Sequence, residues 1–122
     1  MERYFDLFKG INDVIENFCG SSAEDLNEAV VIAAIYTQEG YEGSAMVVYR
    51  KNGKLYEVNG SHCSCNGLEN QWSPEETSYE ALYDRFTRAR EWQDERFGGN
   101  EFTSALLRGI VDEMFDREVL EN

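Results

Sequence analysis

A chain of 122 residues suits one domain and cannot fill two good cores. Its hydrophobic fraction of 42% and aromatic fraction of 13% exclude a wholly disordered chain and predict a real core. The formal net charge of −13 works against binding to nucleic acid or an anionic membrane, both of which need positive potential. It favours solubility and a protein partner with a basic surface, where an acidic face could compete for a groove that normally holds nucleic acid. The acids are spread along the chain, so no single stretch points to such a face.

Residues Tyr4 to Phe18 read as an amphipathic helix, with Tyr4, Phe8, Ile11, Ile15 and Phe18 recurring at steps of three and four. Gly20 is a natural helix stop, and the polar run from Ser21 to Glu28 reads as a connection. Ala29 to Tyr36 is a continuous, β-branched apolar run, predicted as a strand covered on both faces, with a buried helix as the alternative. Ser44 to Arg50 is the next strand. Asn52-Gly53 is the strongest short hairpin signal, because a type I′ turn requires positive φ at both central positions. Leu55 to Asn59 follows as a third strand.

Gly60 to Trp72 is irregular and holds Cys63, Cys65 and the sole histidine, His62. A helix is expected to open after it, either at Ser73-Pro74-Glu75-Glu76 or at Thr77-Ser78-Tyr79-Glu80, since both carry capping patterns. Its apolar stripe is Tyr79, Leu82, Tyr83, Phe86 and Ala89, and it should end before Gly98-Gly99. Asn100 can cap a last helix whose buried side is Phe102, Leu106, Leu107, Ile110, Val111, Met114 and Phe115. The expected fold is a single α+β domain over residues 1–122. It comprises an N-terminal helix, a three-stranded antiparallel meander, a Cys-containing loop and two C-terminal helices.

No apolar run is long enough to cross a bilayer, and the first residues carry acids where a secretion signal would be basic and then apolar. Three cysteines, Cys19, Cys63 and Cys65, are an odd number, which fits a reducing compartment better than a disulfide scaffold. The expected location is therefore cytoplasmic, with free thiols. Cys63, Cys65 and His62 place three zinc-type donors within four residues; a fourth would come from Cys19, an acid such as Glu69, or water. Two alternatives stand beside this metal set. Both cysteines can serve as small apolar core residues, or one can be a redox or nucleophilic thiol, although the nearby acids disfavour a thiolate.

Catalytic constellations are poor. Adjacent side chains on a strand point apart, which places His62 badly as a base for Cys63. No phosphate loop, dinucleotide fingerprint or HExxH helix occurs. Arg85 and Arg88 share a helix face and could hold a phosphate, but Asp84 and Glu91 among them favour salt pairing within the helix. Trp72 reads as an anchor of the loop on the core, with an exposed binding aromatic as the alternative. The chain is thus expected not to be an enzyme, the rivals being a small metal- or thiol-dependent enzyme built on the Cys63/Cys65 loop and a plain interaction domain without a metal.

The stretch from Lys51 to Thr77, KNGKLYEVNGSHCSCNGLENQWSPEET, resembles a family of small phage and prophage proteins. Asn66 stands where that pattern has an aromatic residue. More distantly, the chain is similar to phage anti-CRISPR proteins, among them a metal-carrying inhibitor of a type II effector nuclease. This resemblance implies a non-enzymatic protein in the host cytoplasm that blocks a CRISPR effector nuclease or its DNA loading. His62, Cys63 and Cys65 would then hold a structural zinc.

Overall fold

The computed structural model describes residues 4–39, 42–62, 67–91 and 100–121. Its elements in chain order are β1 (Tyr4–Asp6), α1 (Ile11–Phe18), α2 (Ser22–Leu26), β2 (Val30–Glu39), β3 (Glu42–Lys51), β4 (Lys54–His62), β5 (Glu75–Thr77), α3 (Tyr79–Glu91) and α4 (Asn100–Glu121). The five strands form one sheet in the order β1-β2-β3-β4-β5, in which β1 runs parallel to β2 and the remaining neighbours are antiparallel.

The α+β class holds, but among the described residues the sheet has five strands rather than three, and four helices accompany it. Both extra strands are three residues long and form the sheet edges, where short strands limit pairing with other chains. The helix expected from Tyr4 begins instead at Ile11. Tyr4 and Phe5 fit the helical stripe, but they also alternate across a strand: Tyr4 joins the core on one sheet face and Phe5 the core on the other. Their backbone pairs with Ala34 and Ile35 on the open edge of β2, with α1 and α2 forming the crossover that a parallel pair needs.

At the far edge, Glu75–Thr77 continues the sheet against Leu55–Glu57 instead of opening a helix. The helix start is the second of the two expected sites: Ser78 Oγ accepts the backbone N–H of Ala81 at 3.1 Å, an N-cap bond. The Ser21–Glu28 connection contains the short helix α2.

The central hairpin is as expected. Asn52 and Gly53 both take positive φ, 55° and 77°, and Lys51 lies opposite Lys54. β2 is covered on both faces, as its continuous apolar run requires. Ile32 is an extra residue in a bulge against β3, so Ile32 and Ala33 both join the same core.

One sheet face carries Ile32, Ala33, Ile35, Met46, Val48 and Leu55 under α3 and α4, which contribute Tyr79, Leu82, Phe86, Leu106, Leu107 and Ile110. The other face carries Val31, Ala34, Tyr36, Ala45, Val47, Tyr49 and Val58 under α1, α2 and the segment after β4, with Phe8, Val14, Phe18, Leu26 and Leu68 completing it. Tyr83 and Val111, expected in the helix stripes, are 45% and 47% exposed, because α3 and α4 turn only part of their apolar circumference to the sheet. The side chains of Ala89, Phe102 and Phe115 lie outside the described set. No helix among the described residues is long and apolar enough to cross a membrane.

Among the described residues, two ion pairs tie the helices to the sheet. Arg50 on β3 donates to Glu113 on α4 at 2.9 Å, and Arg85 on α3 donates to Glu57 on β4 at 2.7 Å. Glu57 is only 7% exposed, and Asn59 Nδ2 gives its carboxylate a second donor at 3.1 Å. A buried polar group is costly unless hydrogen-bonded, and these two donors meet that need.

Candidate functional site

Of the three residues predicted to hold a metal, His62 is described and Cys63 and Cys65 are not. His62 closes β4 as a strand residue rather than opening an irregular loop, since its backbone continues the pairing as far as Gly43. Alternation places its ring on the face occupied by Tyr36. The two rings meet edge to face, with centroids 5.3 Å apart, and Tyr36 Oη lies 2.8 Å from His62 Nδ1. Gly43 makes this possible: a Cβ there would overlap His62 Cε1 and Nδ1 and the Thr37 carbonyl. Nε2 of His62 has no partner among the described residues.

The two flanks of the 63–66 segment are joined by one side chain. The Gln71 carboxamide accepts the Ser61 N–H at 2.8 Å and donates to the Ser61 carbonyl at 2.6 Å and the Gly67 carbonyl at 2.7 Å. Each bond contributes about 1 kcal/mol net, and together they hold residues 61 and 67 around a common amide. Gly60 lets the returning chain lie flat on the sheet, because a Cβ would sit 3.1 Å from both Leu68 Cδ2 and Phe18 Cε1. Glu69 folds back so closely that a Cβ on Gly67 would stand 2.7 Å from its Oε2. His62 therefore borders the segment on one side and the Glu69 carboxylate borders it on the other.

Trp72 is the anchor of this return. Its ring packs against Phe18 at 5.2 Å and stacks on Tyr49 at 5.9 Å, and its Nε1–H donates to Asp25 Oδ2 at 2.7 Å. Tyr49 stacks in turn on Tyr56 at 5.2 Å. Through Phe8, which touches both Phe18 and Tyr36, aromatic contacts run without a break from Tyr56 to His62.

Burial, reinforced by the Asp25 carboxylate and the Tyr56 ring, pushes the Tyr49 phenol up to about 12. Burial and then Glu69 raise that of Tyr36. In both cases the folded state holds the proton more tightly than the unfolded chain, where tyrosine titrates near 10. The resulting stabilisation is complete below about pH 10 and is lost as pH rises through about 12. A phenolate absorbance titration is expected to show a late phase that coincides with alkaline unfolding, and Tyr49→Phe should remove most of it.

Other candidates are spent on structure. Arg88 pairs with Asp84 one turn away, as salt pairing within the helix predicts, while Arg85 reaches across to Glu57 on the sheet. Cys19 is an exposed free thiol at the end of α1, and its Sγ–H donates to the Glu16 carbonyl at 3.2 Å. No group of three or more His, Cys, Asp or Glu side chains placed to hold a metal occurs among the described residues.

Sequence reasoning passed over Tyr36, Gly43 and Gln71. A signal for Gly43 was present: once Asn52-Gly53 sets Lys51 opposite Lys54, counting outward puts Gly43 opposite His62. The Gln71 clamp has no periodic signature. By residue type, His62, Cys63, Cys65 and Glu69 are all groups that zinc accepts; of these, His62, with Nδ1 engaged, and Glu69 are among the described residues. No family model, curated protein or solved structure matches the chain.

Proposed function

We propose that this is a non-enzymatic, acidic binding protein that inhibits a host defence nuclease complex in the manner of phage anti-CRISPR proteins. In this reading a structural zinc is held by Cys63, Cys65 and His62. The observation that carries it is the Gln71 clamp, which joins both flanks of the Cys-containing segment to the end of β4. Flanks joined in this way, with Trp72 packed on Phe18 and Tyr49, suit a structural clasp. Glu69 borders the same segment and is suited to supply a fourth ligand. Bound zinc would cross-link the turn between β4 and β5 and so brace the α1/α2 side of the molecule.

The defence-nuclease assignment is supported by the phage-type Lys51–Thr77 segment and by the net charge of −13. Effector nucleases hold nucleic acid in basic grooves, and a strongly acidic protein is steered to such a surface. The test adds the purified chain to a type II effector nuclease loaded with guide RNA. The expected results are co-elution, lost target cleavage, and steep weakening of both as salt is raised. Unimpaired cleavage with no co-elution, and no protection of phage in a host carrying that system, would refute the assignment.

A further inference from the structure

We propose that Asn52 is a site of spontaneous deamidation, and that the fold directs this modification to the β3–β4 turn while protecting Asn59. The proposal is independent of the zinc reading. The sequence offers Asn-Gly at 52–53, 59–60 and 66–67, and the first two pairs lie wholly among the described residues. The reaction is the same at each. The glycine amide nitrogen, its proton lost, attacks the asparagine Cγ. A C–N bond forms, the Cγ–Nδ2 bond breaks, and the side-chain nitrogen leaves as ammonia with that proton. Water then opens the five-membered imide. Cleavage of the bond to Cγ gives aspartate. Cleavage of the bond to the main-chain carbonyl carbon gives isoaspartate, in which the chain runs on through Cγ.

What differs between the two pairs is the freedom of the peptide unit that must rotate to close the ring. Asn52 and Gly53 are exposed at the hairpin tip, and a Cβ on Gly53 would meet nothing within 4 Å. The Lys51–Lys54 pair closes the turn behind them, so ring closure disturbs the last rung of the ladder. Terminal rungs of this kind open at little cost. The two lysines also add a positive field, which favours the amide anion that attacks. Asn59 and Gly60, by contrast, lie within β4 opposite Met46 and Ala45. The Asn59 carboxamide donates to the buried Glu57 carboxylate at 3.1 Å, and the Leu68 and Phe18 side chains pack close over Gly60. Ring closure there pulls apart the ladder and a core contact together. The products at the turn also differ. Aspartate keeps it, since Asp-Gly supports a type I′ turn as Asn-Gly does, and adds one negative charge to the net −13. Isoaspartate lengthens the backbone of a two-residue turn and disturbs the register that the turn sets.

The test incubates the full chain at mildly alkaline pH, folded and in urea. Peptide mapping by mass spectrometry follows both asparagines, and enzymatic methylation reports isoaspartate. In the folded chain Asn52 is expected to convert at least about tenfold faster than Asn59, because closure at Asn59 breaks more hydrogen bonds. In urea the two rates should converge, since the protection belongs to the fold. Asn52→Gln should remove the acidic variant that maps to the turn. Equal rates at Asn52 and Asn59 in the folded chain, or an Asn52 that stays intact when folded yet converts in urea, would overturn the proposal.

Discussion

On the proposed zinc reading, a chelator, or Cys63→Ser together with Cys65→Ser, is expected to lower the melting temperature by about 10 °C or more. That corresponds to roughly 3 kcal/mol or above, taking about 4 °C per kcal/mol for a domain of this size. The physical reason lies in what the ion would replace. Among the described residues between β4 and Trp72, Leu68 is the buried side chain, and the polar Gln71 clamp accompanies it. Hydrogen bonds of that kind contribute about 1 kcal/mol each, whereas a structural zinc supplies several times as much. Differential scanning calorimetry with and without chelator, followed by zinc re-addition, measures the effect. Full recovery on re-addition is expected for the wild type and none for the double serine variant. An unchanged melting temperature in both experiments would remove the structural role. Activity lost with stability intact would favour the enzymatic alternative.

The parts of the fold that could be read in advance are those where one local rule acts alone. Asn52-Gly53 can adopt few other turns, and the run from Val30 to Tyr36 has no polar face to expose, so β2, β3 and β4 follow from them. The misreadings arise where two periods coincide. Tyr4 and Phe8 are four apart and match a helix, yet the chain from Tyr4 to Asp6 gains more by adding backbone bonds to the open edge of β2 than by extending α1. Ser73-Pro74-Glu75-Glu76 has the composition of a helix start, but β4 presents an unpaired edge beside it, and tertiary pairing overrides the local preference.

The candidate site divides in the same way. Donor residues announce themselves by type, so Cys63, Cys65 and His62 could be proposed from sequence. Their supports have ordinary identities: a tyrosine in a buried strand, a glycine that could pass for a turn residue, and a glutamine with no pattern around it. Tyr36 is twenty-six positions from His62, and only the strand order β2-β3-β4 brings them together. The two strands are not adjacent. The contact spans β3, and it exists because β3 offers glycine at that point.

Phe18→Ala is expected to destabilise the domain by about 3–5 kcal/mol, a fall in melting temperature of roughly 10–20 °C. Phe18 is fully buried at the last turn of α1 and contacts three separate parts of the molecule. Its ring meets Phe8 at 6.3 Å and Trp72 at 5.2 Å, and its Cε1 lies against the space left open at Gly60. Truncation would leave a cavity that neither the sheet nor the helix can close, because Gly60 has no side chain to move in and the rings of Phe8 and Trp72 are held by Tyr36 and by Tyr49 with Asp25. Tyr83→Ala and Val111→Ala, at exposed positions, should change stability by no more than about 0.5 kcal/mol. The loss at Phe18 should also be felt locally. With Trp92→Phe as background, Trp72 is the sole indole, and Phe18→Ala is expected to shift its emission to the red before global unfolding. A loss below about 1 kcal/mol with unshifted Trp72 emission would mean that α1 does not support the segment after β4, since burial of a full aromatic side chain cannot be removed so cheaply from a packed interface.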